Sequence, residues 1–261
     1  MAESGLTGSR TIDLNSDLGE GFGAFRVGDD AALFPLFSSA NVACGFHGGD
    51  PRVTERTVAA AKVHGVAVGA HPGVPDLVRF GRRELAATPD EVRTDTLYQI
   101  GALDAFFRAA VVRLKHVKAH GALYNRAVKD PDLAAAIAAA AAYDRGLIFL
   151  AQPGTTLLAA AAAAGLPTAR EGFVYRAYND DGTLVSRRLP GAIGAEPEIG
   201  ADRALRLVAE SKLTTIDGQE LTLTINSLCI HSDTPSAVAM ARAIRRRFDA
   251  AGIAVRPLRP R

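Results

Sequence analysis

Seven short runs along the chain are mostly apolar and read as buried strands: Thr11–Asn15, Asn41–Cys44, Val66–Ala70, His116–Ala119, Leu147–Ala151, Thr168–Val174 and Leu221–Ile230. Between them the apolar spacing changes to the helical period. Pro51-Arg-Val-Thr-Glu opens one helix, with proline where a missing N–H costs nothing. Thr88-Pro-Asp-Glu91 opens another: Thr88 is placed to cap it, Glu91 to complete a capping box, and Leu97, Ile100, Leu103, Phe106 and Phe107 form its stripe. Alanine-rich helices follow over Asp130–Tyr143 and Thr155–Ala164. Thr234-Pro235 opens the last helix, which runs to about Ala251 and stops at Gly252.

Strands alternating with helices make a parallel α/β fold. Polar clusters follow six of the strands: Asp13 to Glu20, Cys44 to Asp50, Gly69 to Gly73, Lys118 to Gly121, Glu171 to Gly182, and Cys229 to Asp233. An open doubly wound sheet concentrates its site at one switch point, whereas a barrel gathers all its strand ends on one rim. The expectation is therefore a single (β/α) barrel domain over residues 1–261. Arg176 to Leu189 breaks the rhythm, and Asn179-Asp-Asp-Gly182 marks a hairpin placed to act as a lid over 176–189. Thr214 to Glu220, with Asp217-Gly218, reads as a surface turn.

Composition narrows the class. Thirty basic and 28 acidic side chains leave a net charge of +2, too mild to argue for nucleic acid or an anionic membrane. Arg245-Arg246-Arg247 reads as a solvated helix face. Met1 to Arg10 carry no apolar signal core, and Gly, Pro and charge interrupt every span-length stretch. Two cysteines, Cys44 and Cys229, are too few for a disulfide scaffold and read as small buried hydrophobes. A soluble, cytoplasmic protein is expected.

Four of the six histidines lie in the polar clusters. Strand alternation puts Asp13, Asn15 and Asp17 on one face, the barrel interior, where unpaired carboxylates are costly. With Glu20 nearby, these groups suit a metal, a positioned water, a general base or a buried ion pair. His47-Gly48-Gly49-Asp50 precedes a helix start, which favours a substrate carboxylate or phosphate, with Asp50 also able to cap the helix. No G-x-x-x-x-G-K-[ST] P-loop is present. His71 sits in a strand-end turn. His116 and His120 match H-x-x-x-H, but on a strand four residues span about 13 Å, too far to share one ion. Lys118 is in phase with His120, so both point inward, where a lysine serves as base or as cation for an oxyanion. His231 and Asp233 end the last strand; their residue types suit a divalent ion but no spacing demands one. His64 reads as a surface or packing residue.

These strings resemble the LamB/YcsF family over about Thr11 to Val255. The likeness rests on Asp13-Leu-Asn-Ser-Asp-Leu-Gly-Glu-Gly-Phe-Gly23, Asn41-Val-Ala-Cys-Gly-Phe-His-Gly-Gly-Asp-Pro51, Gly69-Ala-His-Pro-Gly73, Phe80-Gly-Arg-Arg83, Val117-Lys-Ala-His-Gly-Ala-Leu-Tyr-Asn125 and Cys229-Ile-His231. The resemblance implies a seven-stranded (β/α) TIM-like barrel similar to glycoside hydrolases and polysaccharide deacetylases. It also implies the role of the A component of a 5-oxoprolinase: cleavage of 5-oxo-L-proline to L-glutamate, driven by ATP with Mg²⁺, beside subunits B and C. The site residues it implies are Asp13, Asn15, Asp17, Glu20, His47, Asp50, His71, Lys118, His120 and His231. Five positions depart from the family pattern: Ser16 for Cys, Arg79 for Gly, Ala119 for Pro, Tyr175 for Asp and Ser232 for Gly. Two other readings stand beside this one, a metal-dependent carbohydrate or amide deacetylase and a non-catalytic substrate-binding subunit. Neither ATP placement nor a protein-bound metal is fixed by the residues.

Overall fold

Each strand-like run finds a parallel partner in the computed structural model, which describes residues 11–194 and 196–259. Met1 to Arg10, where a signal core was not expected, lie outside the described residues. The strands are β1 (Thr11–Leu18), β2 (Ser39–Ala43), β3 (Ala67–His71), β4 (Leu114–Val117), β5 (Ile148–Ala151), β6 (Thr168–Phe173), β7 (Lys212–Thr214), β8 (Glu220–Thr222), β9 (Ser227–Cys229) and β10 (Ala254–Val255). Neighbours run β1-β2-β3-β4-β5-β6-β9, and β9 pairs back onto β1, so seven parallel strands close a barrel. The helices are α1 (Asp30–Leu33), α2 (Pro51–His64), α3 (Pro89–Ala109), α4 (Gly121–Ala127), α5 (Pro131–Ala141), α6 (Thr156–Ala163), α7 (Pro197–Glu210) and α8 (Ala237–Ala250). No helix among the described residues is long and apolar enough to cross a membrane.

The helix signals act as their chemistry requires. Asp50 accepts from Arg52 N and Val53 N, Pro51 fills the first turn of α2, and Gly65 closes it in the left-handed region. Thr88 and Glu91 form both halves of the capping box of α3, which buries Ile100, Leu103 and Phe107. His64 ends α2 and stacks on Phe34.

Three boundaries differ from the sequence reading. The apolar run Leu221–Ile230 is two strands. Its first part folds back across the Asp217-Gly218 turn to pair antiparallel with β7, so Thr214–Glu220 is the tip of a hairpin. Asn226 then re-aims the chain, its N–H on the Arg170 carbonyl and its side-chain oxygen accepting from Arg170 N, so the barrel strand starts only at Ser227. Helix α8 begins at Ala237, because Thr234 and Ala237 first make a tight turn back to His231 and Thr234. Beyond β4, Lys118 N and His120 N still donate to the carbonyls of Ala70 and Pro72. That continued ladder holds both side chains over the barrel end. In segment 176–189, Tyr178 bridges Leu184 and Arg176 bridges Ile193.

The barrel interior is polar, and one glycine makes it possible. His116 points inward from β4, and a Cβ on Gly69 of β3 would stand 2.2 Å from its ring. Gly69→Ala should therefore cost about 1–3 kcal/mol or more in urea unfolding, since the closed barrel cannot yield. A double-mutant cycle with His116→Ala should recover part of that loss; a cost below about 0.5 kcal/mol for Gly69→Ala alone would contradict the packing described.

Candidate active site

Inward residues of β1 sit at three depths. Deepest is Asp13, whose carboxylate accepts from Ser38 Oγ (2.7 Å), Ser39 Oγ (2.6 Å) and Ser227 Oγ. The next level passes those bonds upward. Asn15 Nδ2 donates to Ser227 Oγ (2.7 Å), and Asn41 Nδ2 donates to Asn15 Oδ1 (2.7 Å) and to Asp17 Oδ1 (2.8 Å). Asn41 Oδ1 lies 2.8 Å from His116 Nε2, which fixes that nitrogen as the donor. Burial drives the His116 ring down to about 3, so it stays neutral.

Asp17 is the hub of the upper level. Besides Asn41, its Oδ1 accepts from Lys118 Nζ (3.0 Å), while Oδ2 faces His71 Nε2 (3.3 Å) and His231 Nε2 (3.2 Å). Burial pushes the Asp17 carboxyl up, but His71, Lys118 and His231 outweigh it and hold it well below the usual carboxylate range. Burial would strip the proton from Lys118, yet the Asp17 and Glu171 carboxylates hold the ammonium well above its ordinary value. Its Nζ also lies 2.9 Å from Glu171 and 3.2 Å from Cys229 Sγ. Burial raises the Cys229 thiol well above its usual range, which keeps it protonated.

A second group adjoins the hub. Glu20 Oε1 lies 3.3 Å from His47 Nε2 and 3.4 Å from His120 Nδ1, and His120 Nδ1 lies 3.0 Å from His71 Nε2. Burial, then the nearby Asp17 and Asp233 charges, raises the Glu20 carboxyl well above its ordinary range. Burial likewise lowers His47, and brings His120 down to about 3.

The mouth is marked by His231, whose side chain keeps 17% exposure where Asp17 keeps 6%. Its Nε2–H donates to Asp17, and its Nδ1 accepts from Tyr175 Oη and from Arg187 Nη2 (3.0 Å). Arg187 comes from segment 176–189, so that segment reaches the site. Beside it, Arg82 pairs with Asp233. A cleft of about 280 Å³ next to Ser232 and Asp233 borders this mouth. A larger cavity of about 530 Å³ lies between residues 21–31 and α2, away from the histidines. The buried charge and histidine network marks the chemistry better than that surface hollow.

The structure thus brings together Asp17, Glu20, His47, His71, Lys118, His120 and His231, with Asn15 one level below. It separates two residues from them. Asp13 is sealed under the Asn15–Asn41 layer, its oxygens taken by three serines, which leaves it no route to water. Asp50 stands at the surface capping α2 and accepting from Gly23 N (2.7 Å), so its own carboxylate fills the anion site predicted there. Gly48 and Gly49 also serve another purpose than ligand approach. A Cβ on them would stand 2.7 Å from the Glu20 carbonyl oxygen and 3.0 Å from that of Gly19, so they admit the β1 loop itself. Sequence reasoning gave Asn41 and Arg187 no role, and singled out Glu171 only as the head of a polar cluster, not as a site residue. Inward phase on β2 and β6 could have found Asn41 and Glu171; no local signal marks Arg187. Tyr175, a departure from the family pattern, supplies the hydroxyl on His231. Ser16 points away from the interior and donates to the Ile230 carbonyl (2.6 Å). Nothing in the structure explains Arg79.

The sequence profile of the LamB/YcsF family matches residues 12–261. A protein from Symbiobacterium thermophilum, named as the A component of 5-oxoprolinase, is 53% identical over 247 residues, 94% of this chain and 95% of its own. A namesake from Thermus thermophilus is 52% identical over 246 residues, covering 94% and 98%. The crystal structure of a lactam utilization protein from Thermus thermophilus superposes with a TM-score of 0.92 at 51% identity, covering 95% of this chain and 100% of that one. A putative cellobiose-phosphate cleavage protein from Enterococcus faecalis, at 12% identity and a TM-score of 0.56 over 95% and 97%, shares the fold alone.

Neutral buried histidines tie stability to pH. Between its unfolded value near 6.5 and about 3, His116 binds a proton only in the unfolded chain, so acidification destabilises the fold across that window. His116→Gln keeps a donor for Asn41 and should flatten the slope there by the contribution of one proton, about 1.4 kcal/mol per pH unit. Urea titrations from pH 7 to 4 giving equal slopes for both proteins would contradict a neutral His116.

Proposed function

The chain belongs to the LamB/YcsF family, and on that premise we propose that it is the A component of an ATP-dependent 5-oxoprolinase and carries the lactam site. One observation carries this reading: relatives of that name share about half of all residues with it over nearly the whole chain. The geometry adds a hydrolytic arrangement at the barrel mouth.

In the proposed reaction 5-oxo-L-proline, ATP and two waters give L-glutamate, ADP and phosphate. A five-membered lactam is a resonance-stabilised amide, so the ring needs activation. Transfer of the γ-phosphoryl group to the ring carbonyl oxygen releases ADP and makes the ring carbon electrophilic. Water adds there, its proton passing to His231 Nδ1, while Asp17 stabilises the imidazolium through Nε2–H. The C–N bond then breaks, and the leaving nitrogen takes the proton back. The second water hydrolyses the resulting acyl phosphate. Lys118 keeps Asp17 ionised and turned toward His231.

Arg187 matches the substrate carboxylate, and binding it would draw Arg187 off His231 Nδ1. The lone pair is free to take the proton once the Tyr175 hydroxyl also turns from it to the attacking water. Segment 176–189 would thereby act as a lid. Subunits B and C would bring ATP with its Mg²⁺, whose charge neutralises the phosphates when bound. Phe25, Val78 and Leu189 stand exposed on loops after β1, β3 and β6, on the rim that such partners would cover. Free thiols at Cys44 and Cys229 accord with a cytoplasmic setting.

Glutamate release from 5-oxoproline and ATP should require this chain with both partners. Asp17→Asn should lower it by about 10²–10⁴-fold with the far-ultraviolet spectrum unchanged. Release at near-normal rate with Asp17→Asn would remove the assignment, and silence of the complete wild-type mixture would remove the substrate.

A further inference from the structure

Two imidazoles beside the hub have one nitrogen each fixed from behind. His71 Nδ1 lies 2.7 Å from the Lys118 carbonyl oxygen, and His120 Nε2 lies 2.8 Å from that of Phe80. A carbonyl only accepts, so both nitrogens carry hydrogen. The remaining nitrogens, His71 Nε2 and His120 Nδ1, face each other across 3.0 Å with the rings at right angles. In two neutral rings both would be bare, and bare nitrogens at that distance, shut away from water, repel. One hydrogen between them turns the clash into an N–H···N bond, so the pair holds one proton more than two neutral imidazoles.

The surroundings decide which ring owns that proton. The ionised Asp17 places Oδ2 3.3 Å from His71 Nε2. The carboxyl nearest His120 Nδ1 is Glu20, 3.4 Å away, which burial and then the charges around it hold toward its neutral form. Besides Asp17 and His120, the titratable groups around His71 are Cys44, His47, His116 and Lys118, and of all these only Asp17 is an anion. Charge balance points the same way. Asp17 and Glu171 share the single ammonium of Lys118, so a second buried cation is needed to match both carboxylates.

We propose that His71 is a resident imidazolium, bonded through Nε2–H to His120 and matched in charge by Asp17, and that it is a positioning residue for His231. The link is one shared oxygen. Asp17 Oδ2 faces His71 Nε2 on one side and His231 Nε2, at 3.2 Å, on the other. A cation on the first side takes up part of the carboxylate's field, which lessens the hold of Asp17 on a proton at His231. After burial, Lys118 and Arg187, the His71 charge is a further cause that keeps His231 below its ordinary range. His71 thus keeps the mouth imidazole neutral and its Nδ1 ready to accept. This positioning role rests on the reaction proposed above; the charge state of His71 does not.

Long-range nitrogen–proton NMR of the full-length, histidine-labelled chain at pH 7 reads these rings without substrate. The His71 ring should show two protonated nitrogens, and the His120 ring hydrogen on Nε2 alone. A bare nitrogen in the wild-type His71 ring would overturn the proposal, whether or not any variant folds. So would two protonated nitrogens in the His120 ring. His71→Gln keeps a donor toward His120 but removes the charge, so the midpoint of the His231 titration should rise by about one pH unit, about tenfold in proton affinity. An unmoved midpoint in folded variant protein would overturn the positioning role. With the partner subunits present, the acid limb of glutamate release against pH should move up together with that midpoint, whereas damage to packing alone would lower the rate and leave the limb in place. Silence of the complete wild-type mixture would remove the functional reading and leave the charge state of His71 to the spectrum.

Discussion

A single ionised carboxylate inside a closed barrel constrains everything around it. Asp17 is buried, so its charge must be matched by groups that the barrel itself supplies. Lys118 matches the charge, Asn41 fills a second lone pair on the same oxygen, and His71 and His231 face the other oxygen. Those partners come from β2, β3, and the segments that follow β4 and β9, so the carboxylate is satisfied only when the strands are in register. The glycine at 69 and the serine ring around Asp13 are consequences of the same requirement, since a polar interior must be hydrogen-bonded at every level.

The balance of charges sets the chemistry. One cation, Lys118, is shared between Asp17 and Glu171, and burial raises the Glu171 carboxyl. Four rings, His47, His116, His120 and His231, are held neutral, mainly because burial penalises their charged forms. A neutral His231 at the mouth, backed by an ionised aspartate and still partly open to water, is the arrangement from which a proton can be accepted. The other imidazoles are enclosed and serve position.

Much of this was legible in the sequence, for definite reasons. Period-two alternation put Asp13, Asn15 and Asp17 on one face, and the same phase carried Lys118 and His120 inward. Capping chemistry located α2 and α3. What alternation cannot give is depth along the barrel axis, which separates Asp13 from Asp17 although their phases agree. Nor could it say which atoms would reach the helix start at Asp50, where the residue's own carboxylate excludes the ligand that the motif suggests. The hairpin of β7 and β8 was hidden because Leu221, Leu223 and Ile225 alternate with threonines and lead straight into Leu228 and Ile230, so the stretch reads as one strand, and only Asn226 marks the break. Tyr175 and Arg187 reach His231 across 56 and 44 residues, a contact that no local pattern encodes.

The proposed chemistry depends above all on a neutral His231, with hydrogen on Nε2, resting against an ionised Asp17. Long-range nitrogen–proton NMR of imidazole-labelled protein at pH 7 tests that state most directly. The spectrum should show one protonated and one bare nitrogen in the His231 ring, with the hydrogen on Nε2. Two protonated nitrogens, or hydrogen on Nδ1 alone, would contradict it.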